Sequence, residues 1–115
     1  MEGLNITQTE LTGQVSSDQI EAWKAQVQKK YGASHGVRSY TIDGRICYLR
    51  TVDRETYSAA AAKVSTSPAK FNDTVIANIW LGGDETIKND DGYYFGLIDF
   101  VEELMGKKKG SLQPC

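Results

Sequence analysis

Apolar residues recur every three or four positions in four stretches of the chain, which is the pattern of helices with one buried face. In the first stretch these residues are Ile20, Trp23, Val27 and Tyr31. Ser16 stands before them with Gln19 three residues later, as in a capping box, and Gly32 stands after them. The pattern therefore predicts a helix that begins after Ser16 and ends at Gly32.

Two more helices are predicted in the middle of the chain. Asp53 is a favourable N-cap, and an alanine-rich segment follows it, so we expect a helix from Arg54 to about Val64. Ser67-Pro68 favours another helix start, and Gly82-Gly83 favours a helix end. We expect this helix to run from Pro68 to about Leu81, with an apolar face made of Phe71, Val75, Ile76 and Ile79.

A last helix is predicted from Gly92 or Tyr93 to Met105, with Asp90 or Asp91 as its cap and Gly106 as its end. Its apolar face consists of Tyr94, Leu97, Ile98, Val101, Leu104 and Met105.

The segment from Val37 to Arg50 instead has the composition of two β-strands. Asp43-Gly44 lies between them and favours a two-residue type I′ turn, which fixes the register of a hairpin. In that register Tyr40 faces Cys47. A lone hairpin is only marginally stable, so we expect a third strand from residues 4–8 or an open edge that meets a partner.

These elements predict one α+β domain: an N-terminal helix, an antiparallel hairpin that gains a third strand if residues 4–8 supply it, and three helices packed on the sheet. Residues 1–15 are predicted to be an arm or a short strand, residues 16–106 the single domain, and residues 107–115 a flexible polar tail.

Composition restricts the classes of function. The chain has 115 residues, 40% of them hydrophobic, and a formal net charge of −2. No global positive charge attracts nucleic acid or anionic membrane, and no run reaches the roughly 18 apolar residues of a membrane span. The first residues lack the layout of a signal peptide. We therefore expect a cytoplasmic protein with two free thiols, Cys47 and Cys115.

Candidate chemistry is sparse. Aligning Gly92 with the invariant glycine of an EF-hand loop places isoleucine, Ile87 and Ile98, at two ligand positions, so the acids of this region are read as helix caps. His35 is the only histidine, and we expect it in a loop away from Cys47. The four arginines around the hairpin fall on alternating faces, which favours a solvated edge over one patch for an acidic partner; they are Arg38, Arg45, Arg50 and Arg54. We expect no enzymatic activity, cofactor or metal site.

Several motifs occur together between Cys47 and Met105. Tyr48-Leu49-Arg50 precedes Asp53-Arg54 and the alanine-rich helix; Pro68-Ala69-Lys70-Phe71-Asn72 follows, and then Trp80-Leu81-Gly82-Gly83-Asp84-Glu85 with Asp90-Asp91 and a closing apolar helix. In these motifs the chain resembles the phage tail assembly chaperone-like proteins, a family of small phage and prophage proteins. The resemblance covers about residues 16–106. It departs from the family pattern at Val52, where proline is common, and at Ile79, where cysteine is common.

The resemblance implies a non-enzymatic protein in the cytoplasm of the bacterial host that keeps a long, apolar, helical tape-measure-type protein in solution during tail assembly. Such a role requires apolar surface that a partner helix covers. The residues expected to supply that surface are Phe71, Val75, Ile79, Trp80, Tyr94, Leu97 and Val101. Trp80 fits core packing as well as an exposed anchor. The alternatives are a virion structural or cargo component and a binder of a host defence protein, and self-association into a homo-oligomer stays open.

Overall fold

The computed structural model describes residues 10–65 and 67–115. The elements follow the order α1 (Ser17–Tyr31), β1 (Val37–Ile42), β2 (Arg45–Arg50), α2 (Arg54–Ala61), α3 (Ala69–Ile79), β3 (Trp80–Gly83), α4 (Thr86–Asn89), α5 (Asp91–Ile98) and α6 (Val101–Leu104). This is the mixed α+β architecture that the sequence predicts. Residues 1–9 of the arm proposed for residues 1–15 lie outside the described residues, and so does the strand proposed for residues 4–8.

The hairpin forms in the predicted register. Ile42 pairs with Arg45 and Tyr40 with Cys47. Asp43 and Gly44 have φ angles of 50° and 74°, as a type I′ turn requires. The predicted caps of the first two helices are also present, since the Ser16 hydroxyl accepts from Gln19 N–H and the Asp53 carboxylate accepts from Thr56 N–H.

The third strand comes from an unexpected part of the chain. The prediction that α3 runs to about Leu81 is wrong: the helix ends at Ile79, and Trp80 adopts an extended conformation. Residues 80–83 then pair antiparallel with β2, so that Gly83 lies beside Cys47. A Cβ on Gly83 would lie only 2.5 Å from the Cys47 Cα, so this glycine permits close strand pairing and does not end a helix as predicted.

The closing helix is divided. The prediction of one helix up to Met105 is wrong, because the chain turns at Asp99-Phe100 and separates α5 from α6. Phe100 N–H bonds to the carbonyl of Leu97, in the tighter i→i+3 pattern. Asp90 caps α5, as expected. The short helix α4 was not predicted, and its Ile87 is fully buried.

Helices cover both faces of the sheet. On one face Trp23 of α1 packs on Tyr48, with ring centroids 5.5 Å apart. On the other face a single hydrophobic cluster joins the sheet to the later helices; it includes Cys47, Leu49, Val75, Ile79, Ile87, Leu97 and Leu104. A backbone hydrogen bond of 2.8 Å from Val52 N–H to the carbonyl of Leu104 ties α6 to the end of β2.

Residues 107–115 contain no helix or strand and are exposed. Their flexibility stays a prediction. Within the described residues, no helix combines the length and the apolar character that crossing a bilayer requires.

Candidate partner-binding surface

The residues predicted to contact a partner are placed mainly inside the domain. Val75, Ile79 and Leu97 have no exposed surface, and Val101 is 5% exposed. In this conformation none of the four offers a surface to another protein, which corrects the expectation that they do. The physical reason is that all four belong to one hydrophobic cluster with Cys47 and Leu49 of the sheet, which is larger than the core expected from the sequence.

The other three predicted residues lie at the margin of the core. Phe71 packs edge-on against Tyr57, with ring centroids 5.6 Å apart. The ammonium of Lys88 lies 4.7 Å from the centre of a Trp80 ring. These contacts leave each of the two side chains only partly accessible.

Tyr94 is the third of these marginal residues. Its hydroxyl donates a hydrogen bond of 2.5 Å to a carboxylate oxygen of Asp73. Burial raises the pKa of the Tyr94 phenol, and the neighbouring Asp73 carboxylate raises it further. The phenol is therefore neutral and acts as a hydrogen-bond donor that joins α5 to α3.

A different apolar surface lies where β1 meets the turn between α5 and α6. A groove of about 270 Å³ opens there, between Tyr40 of the strand and Phe100 of the turn. Its floor is apolar and is formed by Leu49, Leu97 and Leu104. We call this feature the β1 groove; Arg38, Ser39 and Glu103 complete its lining.

Two aromatic side chains of this part of the chain expose much of their surface, and one of them, Phe100, lines the groove. Phe100 is 43% exposed and packs on Tyr40, with ring centroids 5.5 Å apart. Phe95 of α5 is 60% exposed. Sequence reasoning did not select either residue, because Phe95 lies off the apolar stripe and the significance of Phe100 depends on the break in the helix. The only sign of these residues in the sequence is that each is an aromatic residue outside the positions with helical spacing.

Gly96 allows the strand and helix to approach each other at this site. A Cβ at that position would lie 3.0 Å from the Tyr40 hydroxyl and 3.5 Å from an Ile42 methyl. Burial raises the pKa of the Tyr40 phenol, and Cys47, Asp99 and Asp43 add to the shift. The Tyr40 phenol is therefore neutral, and the charged residues of the groove lining are Arg38 and Glu103.

The arginines around the hairpin have different surroundings, and the expectation of a solvated edge is wrong for Arg50. Arg50 is buried and bonds to Asp53 at 2.9 Å. Arg45 bonds to Asp84 at 2.7 Å and lies over the Tyr93 ring. Arg38 is exposed at the edge of the sheet.

The two groups considered for nucleophilic chemistry have separate, structural surroundings. His35 Nδ1 lies 2.8 Å from the hydroxyl of Thr51. Cys47 is fully buried, and burial raises the pKa of its thiol to about 12, so it stays protonated and unreactive. Cys115 is an exposed free thiol.

The acidic segment mostly serves to cap helices. Asp84 accepts from Thr86 N–H at 2.9 Å, and Asp90 accepts from Tyr93 N–H at 3.2 Å. Among the described residues, no three His, Cys, Asp or Glu side chains are grouped so that they can hold a metal ion.

Compared with known proteins, the chain matches no protein-family model, no curated protein and no solved structure.

Proposed function

We propose that the chain is a protein-binding module of phage origin, similar to tail assembly chaperones, which holds an apolar helical segment of a tape-measure-type partner. The observation that carries this proposal is the β1 groove with Phe100 at its side. An apolar floor, a half-exposed aromatic ring, and one cation and one carboxylate in the lining, Arg38 and Glu103, form a site suited to amphipathic protein segments. The motifs that resemble the chaperone family supply the class of partner.

The surface also indicates the chemistry of that segment. Leucine-sized or phenylalanine-sized side chains fit a groove of about 270 Å³. Asp99 and Asp43 influence Tyr40 electrostatically, and Glu103 lies in the groove wall. We therefore infer an amphipathic helix whose apolar face enters the groove and whose flanking charged side chains pair with Glu103 and Arg38 of the lining.

The proposal is tested by co-expressing the chain with the long, helix-rich tape-measure-type protein encoded in the same phage or prophage. The expected result is that the two proteins purify together and that the tape-measure-type protein precipitates when expressed alone. If the partner is equally soluble without the chain and does not purify with it, the proposal fails.

Mass spectrometry of purified particles separates this proposal from a role in the virion. A chaperone leaves the partner when the tail tube assembles, so its peptides are expected in infected cells and not in particles. Peptides of the chain at a fixed ratio to tail proteins in purified particles would instead show a structural or cargo component.

A further inference from the structure

The two edges of the sheet differ in how they are protected. The edge formed by β3 is four residues long, contains two glycines and has an irregular register between Tyr48 and Leu49 of its neighbour. The edge formed by β1 is six residues long, pairs with β2 in regular register and contains no proline. Long regular edges are the ones that pair with another strand.

The backbone of β1 presents free hydrogen-bonding groups along this edge. Ile46 of β2 donates its N–H to the carbonyl of Thr12 at 2.9 Å and accepts from Asp84 N–H at 3.0 Å, so both groups point away from β1. Its cross-strand neighbour Thr41 must then point its own N–H and carbonyl away from β2. Alternation along the strand assigns the same outward direction to Ser39 and Val37.

No element covers these groups in the described part of the chain. β1 pairs with β2 alone, within residues 10–65 and 67–115. The side chains of Ser39 and Thr41 are exposed, so a further strand can approach without displacing them. Arg38 donates to the carbonyl of its neighbour Val37 at 3.2 Å, and this exposed contact is readily exchanged.

We infer that a second copy of the chain pairs with this edge, antiparallel, with Ser39 of one protomer opposite Ser39 of its partner. This register aligns Val37 with Thr41 at both ends and forms about six backbone hydrogen bonds. It overlaps more of β1 than a register shifted by one pair. The two sheets then make one sheet of six strands around a two-fold axis.

Charge favours this self-pairing. In the proposed register Arg38 of one protomer lies directly across from Tyr40 of its partner, on the same face of the sheet. Each copy thereby brings a guanidinium next to the Tyr40 ring of its partner, and Asp43 and Asp99 act electrostatically on that tyrosine. The surface is thus complementary to itself, as a two-fold interface requires.

Because the axis is perpendicular to the sheet, the β1 grooves of both protomers lie on the same face. The inference does not depend on the identity of any other partner, and a monomeric chain that still bound a tape-measure-type protein would refute it without affecting the proposed function.

Disulfide trapping tests the register. In a Cys115→Ser background, Ser39→Cys places two thiols across the axis, where directly opposed residues have Cα atoms about 5.5 Å apart, within the range of a disulfide. Thr41→Cys is the matched control, because its two copies lie roughly 13 Å apart along the strands. We expect mild oxidation to give covalent dimers from the Ser39→Cys variant only.

Analytical ultracentrifugation over a concentration series tests the interface itself. We expect the wild-type chain and the Ser39→Ala/Thr41→Ala variant to sediment as dimers. The Ser39→Pro/Thr41→Pro variant should sediment as a monomer, because proline removes only the outward N–H groups. Circular dichroism checks that the proline variant is folded. If it is not, the comparison of the Ser39→Cys and Thr41→Cys variants tests the interface instead.

A wild-type chain that sediments as a monomer at every concentration would overturn the inference. So would equal crosslinking of the two cysteine variants, or a dimer that survives both prolines in the folded variant.

Discussion

The guanidinium of Arg50 joins three parts of the chain. It donates to Asp53 at the start of α2, to the Thr56 hydroxyl at 3.2 Å and to the carbonyl of Asn78 near the end of α3 at 3.3 Å. It also lies 4.1 Å from the centre of the Tyr31 ring of α1. Only 6% of the residue is exposed. Sequence reasoning assigned it to a solvated edge, because nothing local shows that three other elements converge on it.

Replacing this residue tests its structural role. We expect Arg50→Ala to lower the free energy of unfolding by about 2–4 kcal/mol, because it removes a buried guanidinium and leaves the partly buried Asp53 carboxylate without its ion-pair partner. The unfolding free energy of Arg50→Lys should lie between those of the wild type and Arg50→Ala, since an ammonium keeps the charge but cannot reproduce the planar, forked hydrogen bonding of the guanidinium. Urea unfolding measures the change.

The control is Lys24→Ala, which removes an exposed ion pair with Glu21 and should cost less than about 0.5 kcal/mol. Equal stabilities of the Arg50→Ala and Lys24→Ala variants would show that Arg50 does not hold these elements together.

The ionisation of Asp53 links the same cluster to pH. Burial disfavours the charged carboxylate, but hydrogen bonds from Thr56 and Arg50 outweigh it, so the pKa of Asp53 lies below its usual value. A carboxylate with a lowered folded-state pKa stabilises the fold above the unfolded-state pKa of about 4, and this stabilisation is lost as pH falls through the folded-state value.

We therefore expect wild-type stability to decline as pH falls below about 4, and Asp53→Asn to be less stable than wild type at pH 7 but with a smaller decline. Thermal unfolding at a series of pH values measures both. Parallel pH profiles for the two proteins would mean that Asp53 does not contribute.

At the scale of elements, the predictions that succeeded depended on local signals. The type I′ turn at Asp43-Gly44 and the caps Ser16 and Asp53 each act within a few residues, and the structure contains all three. Strand β3 could not be predicted in this way. The sequence Trp80–Gly83 becomes a strand because β2 is available to pair with it, and that partner lies more than thirty residues earlier in the chain.

The two glycines of β3 allow a matched test of this pairing. A Cβ at Gly83, which has a φ of 122°, would meet backbone atoms of Cys47 and Ile46 at 2.5 and 2.6 Å. A Cβ at Gly82 would meet only the indole edge of Trp23, at 3.0 Å. We expect Gly83→Ala to cost more than about 2 kcal/mol of unfolding free energy, because rigid backbone and a left-handed conformation both oppose it.

Gly82→Ala should cost less than about 1 kcal/mol, because a side chain can shift. The two variants are compared by urea unfolding. Similar losses at both positions would contradict the strand assignment for residues 80–83.

At the scale of the whole molecule, some apolar residues fill the core and others stay exposed, and helical spacing along the sequence separates the two groups only in part. Those with helical spacing, such as Val75 and Leu97, fill one core between the sheet and the later helices. Phe95 and Phe100, which lie outside the spacing, remain exposed, and so do Tyr57 and Val64, which follow it. The sequence thus predicted the α+β class, while the surface that is accessible to a partner became evident only once burial was known.

The β1 groove is the proposed site that holds a partner, and one comparison of affinities tests this assignment. Phe100 and Tyr57 are similarly exposed, at 43% and 46%, and each packs on one other ring at nearly the same distance. Only Phe100 lines the β1 groove. The measurement is the Kd of the wild type, Phe100→Ser and Tyr57→Ser for a purified helical segment of the tape-measure-type protein.

We predict that Phe100→Ser weakens binding at least about tenfold, as the loss of an aromatic anchor does, while Tyr57→Ser leaves the Kd within about twofold of wild type. Equal Kd values for all three proteins, or a larger loss for Tyr57→Ser, would contradict the assignment of the groove as the binding site.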